Sequence, residues 1–281
     1  MTPILLIVVV AAALLVARMG WYYCWNTRAA TILAHHLSRI LGPLVRKCPT
    51  HGDTTCCGSL CFAKDDISGV TSGLRLGMKH EPWMAEVIQR HRNKDAIALD
   101  VGAHIGYHTR DMAANFGHVI ALEADPATFK HLKRNTSDLS NVTCRSTAVG
   151  SETGEAAFSR DPISTRSGVL PGTVSGGERG LNVPVRTLDS LAEDGTLAVK
   201  FIKIDVEGNE RKVLSGGRRL LRRRKPVIVY EDHTGETTEW LLENCPFYEI
   251  ERVDATNLIA GPKARQPLHQ ITSERTRKAF H

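Results

Sequence analysis

Two short segments carry side chains able to move a proton. Asp205 and Glu207 lie in Ile204-Asp-Val-Glu-Gly208, and Glu231, Asp232 and His233 lie in Tyr230-Glu-Asp-His-Thr234, each just after an apolar run. Acids at the ends of buried strands lose hydration, so their pKa values rise toward neutrality unless a positive partner intervenes. In this reading His233, with an ordinary pKa of about 6.5, takes the proton of an acceptor hydroxyl while Glu231 orients its ring. Asp205 and Glu207 then contact the acceptor or an ammonium group. The plainer alternatives are a loop histidine without a role and an acid pair that offsets a helix dipole. Asp205, Glu231 and Asp232 are also the oxygen donors a hard cation takes, but no metal is assigned.

A third segment, Ala96-Ile-Ala-Leu-Asp100-Val-Gly102-Ala103-His-Ile-Gly106-Tyr-His-Thr109, reads as a strand ending in an acid, a glycine turn and a helix. Gly102 would let the backbone approach a ligand and Gly106 would let the helix pack close to the strand. The spacing is G-x-x-x-G, without the middle glycine of a dinucleotide fingerprint. Asp100 would repel a pyrophosphate and suits an ammonium group, which favours S-adenosylmethionine (SAM) over a nicotinamide cofactor. Glu123 and Asp125 follow a second apolar strand, where acids accept hydrogen bonds from ribose hydroxyls. The cofactor-binding set is therefore Asp100, Gly102, Ala103, Gly106, Glu123, Asp125, Ala148 and Asp205.

Positioning these residues takes alternating strands and helices. Strands are expected at 96–102, 118–123, 142–149, 199–205 and 226–231, with helices running to about Asn115 and over 126–138, 209–223 and 236–244. Two adjacent strands near 248–254 and 257–260 close the pattern. The fold class is α/β: a Rossmann-like, seven-stranded, mainly parallel sheet with helices on both faces and an antiparallel C-terminal hairpin. Ligands of such sheets lie beyond the carboxyl ends of the strands. A helix is expected from Glu81-Pro-Trp83, with Pro82 in its first turn. The Ser- and Gly-rich stretch Asp161 to Gly180 is expected to be a mobile loop near the substrate.

Three segments resemble the FkbM family of SAM-dependent methyltransferases: Leu99 to Tyr107, with His104 where Asn is more usual; Leu122-Glu-Ala-Asp-Pro126; and Phe201-Ile-Lys-Ile-Asp-Val-Glu-Gly-Asn-Glu210. The resemblance runs from about Ala96 to Ala260. It implies SAM as cofactor, the class I methyltransferase fold and O-methylation of a hydroxyl on a sugar, lipid-linked or secondary-metabolite acceptor. It also implies that the 81–88 segment borders the cofactor site, and it implies no metal. His104 and His108 read as packing or positioning groups. The alternative from another class is a silent SAM-binding or membrane scaffold protein.

The chain has 281 residues, 42% of them hydrophobic, with 36 basic and 30 acidic residues, a net charge of +6 and a mean hydropathy of −0.18. So small and dispersed an excess gives no footprint for nucleic acid. The dense basic run, Arg218-Arg219 and Arg222 to Lys225, suits a helix C-terminus. Ile4 to Ala17 is uninterrupted apolar sequence followed by Arg18 and Trp21, Tyr22, Tyr23 and Trp25. This predicts a single-pass anchor within Pro3 to Trp25, with the catalytic domain left in the cytosol by the basic residues that follow. A cleaved signal peptide and secretion is the weaker alternative. Arg28 to Lys47 has an amphipathic helical pattern with a kink at Gly42-Pro43. Cys48, Cys56, Cys57 and Cys61 read as unpaired linker thiols, with zinc or disulfides as the other uses. The expected domains are 1–26 anchor, 27–64 amphipathic helix and linker, 65–262 methyltransferase, and 263–281 polar tail.

Overall fold

The computed structural model describes residues 35–40, 48–159, 168–169, 181–192 and 198–263. The first half contains β1 (Thr50–His51), β2 (Thr54–Cys57), β3 (Leu60–Ala63), α1 (Gly69–Arg75), α2 (Pro82–Arg90), β4 (Asn93–Val101), α3 (Tyr107–Asn115), β5 (Phe116–Glu123), α4 (Pro126–Asn135) and β6 (Val142–Ser146). There follow β7 (Ala148–Val149), β8 (Gly154–Ser159), β9 (Gly168–Val169), β10 (Leu181–Arg186) and α5 (Leu188–Ala192). The last part contains β11 (Val199–Ile204), α6 (Glu210–Ser215), α7 (Arg218–Arg224), β12 (Val227–Glu231), α8 (Glu236–Asn244), β13 (Tyr248–Arg252) and β14 (Asn257–Pro262).

Seven strands form the central sheet in the order β13-β14-β12-β11-β4-β5-β6. Strands β6, β5, β4, β11 and β12 run parallel; β14 is antiparallel to both β12 and β13. The central strands β5, β4, β11 and β12 are mostly apolar and buried on both faces, as helices on both sides require, whereas the edge strands β6 and β13 are partly exposed. Leu99, Ile202, Ile204, Ile228 and Leu241 belong to one buried cluster, and Met84, Ile88, Met112, Phe116 and Phe201 to the other. The expected sheet is the observed one, because two-sided burial leaves a clear apolar signal in its central strands.

Local departures have local causes. The helix expected over 209–223 is two helices, because Gly216 and Gly217 pass hard against other backbone and side chains. A Cβ on Gly216 would lie 2.1 Å from the Gly150 carbonyl oxygen, and one on Gly217 would lie 2.8 Å from Leu188. The strand expected over 142–149 divides at Thr147, after which β7 joins a second sheet of order β7-β10-β8-β9. Most of the expected loop between Asp161 and Gly180 lies outside the described residues. So do most of the amphipathic segment and residues 264–281 of the tail; residues 35–40 are helical, with His35 and Ser38 buried and Ile40 exposed.

The cysteine segment is not a linker of free thiols. Disulfides Cys48–Cys57 and Cys56–Cys61 staple the antiparallel sheet β1-β2-β3, which packs Leu60 and Phe62 against Leu74 and Ile105. The Asn135 side chain fixes it to the domain: its Oδ1 accepts from the Cys61 N–H, and its Nδ2 donates to the Cys61 and Ile105 carbonyls, each at 2.8 Å. Among the described residues no helix is long and apolar enough to cross a membrane. The single-pass placement with a cytosolic domain is therefore not supported; Pro3 to Trp25 itself lies outside the described residues. Disulfides persist in oxidising surroundings, which is a further objection to a cytosolic domain.

Candidate active site at the strand ends

The centre of the sheet buries a lysine. In the β4–β11 pairing Lys203 faces Asp100, and its Nζ lies 3.1 Å from Asp205 Oδ2 and 3.8 Å from Asp100 Oδ1. Burial alone would lower the lysine pKa, but Asp205, Asp100 and Glu81 override it and hold the ammonium charged. Asp100 is fully buried; its Oδ2 accepts from the Thr109 hydroxyl at 2.6 Å, while its Oδ1 has no hydrogen-bond partner. Asp100 is thus the counter-ion of Lys203, enclosed beneath the position expected for a ligand ammonium. Lys203 and Asp205 are two residues apart at a strand end and reach one side of the sheet. That alternation was the available signal for Lys203, hidden by the apolar residues around it.

The turn after β4 is built from left-handed residues: Gly102 (φ 78), His104 (φ 51) and Gly106 (φ 87). A Cβ on Gly102 would stand 1.8 Å from the Asp205 carbonyl oxygen, and one on Gly106 would stand 2.9 Å from Leu132 of α4. Close approach of other protein atoms is by itself enough to exclude larger residues at both positions. Ala103 is buried, and its N–H donates to the Leu122 carbonyl.

Glu123 closes this turn from β5, accepting the His104 N–H on Oε2 at 2.9 Å and the Asp125 N–H on Oε1 at 2.8 Å. Burial pushes its carboxyl upward despite these bonds and the nearby His104. Asp125 serves as the cap of α4, accepting from Ala127 N–H and the Thr128 hydroxyl. Ala148 is buried with Phe158, Val183 and Val185, alongside Ala124. The donor set fits SAM: Glu123 retains acceptor capacity for ribose hydroxyls, and Asp205, about one-third exposed, can face an ammonium group.

Beyond the strand ends lies a small, partly open cleft of about 10 Å³ whose lining includes Glu81, Lys203, Asp205, Tyr230, Glu231 and Asn257. Desolvation raises the Glu231 carboxyl, and the negative charges of Asp205, Glu81 and Glu210 add to it against Lys203. Glu207 is an exposed residue with φ 54; desolvation of its carboxyl first, then the charges of Asp205, Glu231 and Glu210, push it up as well. Glu210 shapes this loop by accepting the Val206 and Gly208 N–H groups. His233 Nε2 lies 3.4 Å from Glu231 Oε2, so the expected pair is brought together, but its side chain is 52% exposed and does not line the cleft. Asp232 turns away to α8, accepting from Gly235 and Thr238 N–H groups and the Thr238 hydroxyl. That removes it from the oxygen-donor set considered with Asp205 and Glu231.

The methyltransferase FkbM domain family matches residues 100–257, over half of the chain. The chain belongs to the FkbM methyltransferase family. The FkbM match takes in Asp100, Glu123, Lys203, Asp205, Glu207, Glu231 and His233 and leaves out Glu81, which reaches the cleft from α2. Hexuronic acid methyltransferase AglP of Haloferax volcanii is 30% identical over 161 residues, covering 56% of this chain and 64% of that protein. The chain thus spans just under two-thirds of that relative. Among solved structures, an FkbM methyltransferase from Methylobacillus flagellatus KT aligns with a TM-score of 0.44 and 18% identity, over 82% of this chain and 58% of that one. A putative caffeoyl-CoA O-methyltransferase from Staphylococcus aureus aligns with a TM-score of 0.44 and 11% identity, over 72% and 93%.

Proposed function

We propose that this FkbM domain transfers a methyl group from SAM to a hydroxyl of a sugar. SAM supplies an electrophilic methyl whose bonding pair leaves with the sulfur as the acceptor oxygen bonds to carbon. The chain's own task is to align that oxygen and accept its proton. Glu231 carries this reading: it lines the cleft beside Asp205, and its raised pKa suits a proton acceptor working near neutrality. His233 stands on the solvent side of Glu231, placed to pass the proton outward. This reverses the expected roles, in which His233 was the base and Glu231 its support.

The name of the hexuronic acid relative supports a sugar acceptor. The cleft's charge favours a hydroxyl over a carboxylate as the methylated group, because Glu81, Asp205 and Glu231 face it while the one lining cation, Lys203, is already paired. Transfer of labelled methyl from SAM to a panel of neutral and uronic glycosides tests the assignment. Base-stable ether product, lost in Glu231→Gln with SAM affinity retained, is the expected result. Label appearing as a base-labile ester, or undiminished transfer by Glu231→Gln, overturns it.

A further inference from the structure

Glu81 belongs to a second cluster that the proton chemistry leaves unused. Its Oε2 lies 2.9 Å from His108 Nε2 and 3.6 Å from His80 Nε2. One donor atom from each of the three residues falls within 4.8 Å of the others. Two imidazole nitrogens and one carboxylate oxygen are a donor set that zinc and neighbouring first-row cations take. With metal–ligand bonds of about 2.1 Å, adjacent ligand atoms stand roughly 3.0–3.4 Å apart, so the two separations from Oε2 bracket what one shared ion requires.

The surroundings point the same way. Glu81 occupies the left-handed region (φ 41, ψ 65) directly before Pro82, a conformation unfavourable for a long side chain and found where structure around it insists. It meets His108 on α3, 27 residues further along. The His80 and His108 rings lie 5.5 Å apart with a 37° tilt. Side-chain exposures of 22%, 21% and 7% for His80, Glu81 and His108 leave the cluster partly open. The His108–Glu81 contact is a hydrogen bond; a divalent cation engages all three donors at once.

We propose that His80, Glu81 and His108 form a binding site for one divalent cation of the zinc class, set at the edge of the acceptor cleft. Glu81 is the ligand shared with that cleft, so the ion stands on the side where an acceptor oxygen enters. On the methyl-transfer reading, an ion there would draw charge from the acceptor hydroxyl and ease its deprotonation by Glu231. The binding site itself does not depend on that reading.

The test uses the full chain stripped with chelator and dialysed. Calorimetric titration with zinc chloride is expected to show one equivalent bound, and cobalt chloride is expected to give visible ligand-field bands. His108→Ala and, independently, His80→Ala should weaken zinc binding by about 10–100-fold or more and abolish the cobalt bands, with circular dichroism unchanged. Absence of stoichiometric zinc binding overturns the proposal, as does binding that both variants leave intact. A parallel SAM titration separates the two readings: zinc without SAM binding keeps this site and removes methyl transfer, and SAM without zinc does the reverse.

Discussion

The cleft's carboxylates fall into two groups with opposite electrostatics. Burial alone would raise Glu81, but its hydrogen bond to His108 and the charges of His80, His108 and Lys203 hold it down to about 2. Asp100 and Asp205 share the Lys203 ammonium. Glu207, just after β11, and Glu231, at the end of β12, have only the pull of Lys203 against desolvation and the charges of Asp205 and Glu210, joined by Glu231 at the first and by Glu81 at the second, and both are raised. A carboxyl is thus held low where a hydrogen bond and cations face it, as at Glu81, and pushed up where desolvation and like charges win, as at Glu207 and Glu231. The dividing line is Lys203.

Removing that lysine gives the largest expected effect. Lys203→Met leaves Asp100 fully buried without its cation, and breaking a buried ion pair costs about 3–5 kcal/mol. Thermal unfolding is expected to show a large loss of stability, and adding Asp100→Asn is expected to restore part of it. If the double variant is no more stable than the single one, Lys203 does not divide the two groups.

Next comes Glu231→Gln, expected to lower turnover by about 10²–10⁴-fold while SAM affinity holds. The pH dependence has a definite sign. A base with a raised pKa is neutral at acid pH, so turnover should rise with pH through that raised value and lose this limb in the variant. Stability runs the other way: between the ordinary carboxylate range and the raised value the folded state holds more protons than the unfolded one, so raising pH destabilises the fold there. Glu207→Gln and Glu231→Gln should each flatten that decline, as measured by denaturant unfolding across pH. An unchanged slope in both would place these acids with the paired group.

Much of this arrangement was readable in the residues, and what was hidden has a physical reason. Apolar runs ending in acids located β4, β5, β11 and β12, because a strand buried on both faces has little freedom of composition. The acid tips alone could not show which acids were already occupied. Asp125 and Asp232 look the same as Glu123 and Glu231 in sequence, yet they cap α4 and α8. Only folding decides which carboxylate meets a backbone N–H and which meets the cleft. His80 and Glu81 preceded the recognised motifs, and their link to His108 spans the β4 strand. The disulfide pairing was equally invisible, since four cysteines allow several pairings, and so was the side chain that holds the stapled sheet to the domain, Asn135, 74 residues from Cys61.

The stapled sheet supplies a smaller effect. Cys48–Cys57 and Cys56–Cys61 span 9 and 5 residues, short loops for which cross-linking contributes about 2–3 kcal/mol each in the chain-entropy description. Cys56→Ser with Cys61→Ser should lower the unfolding midpoint, and reductant should lower it in the unmodified chain but much less in a variant lacking all four cysteines. The SAM affinity should fall less than in Glu123→Ala, because the sheet reaches the cofactor turn through packing on Ile105 and Tyr107 and through Asn135 and does not touch Glu123 by any described hydrogen bond. An equal fall would make the stapled sheet part of the cofactor site.

The smallest effect belongs to a cation–carboxylate pair on the surface. Arg90 Nη1 lies 3.1 Å from Glu251 Oε2, the same distance as Lys203 from Asp205, but both side chains are more than half exposed. Solvent already screens these charges, and such pairs contribute about 0.2–1 kcal/mol. Arg90→Ala is therefore expected to shift the denaturation midpoint slightly, and added salt should erase the difference. Salt should leave the Lys203→Met loss largely intact, because a buried pair is screened little. If the two variants lose similar stability and respond alike to salt, burial does not set the strength of the Lys203 network. The division between held and exchanging carboxylates would then need another cause.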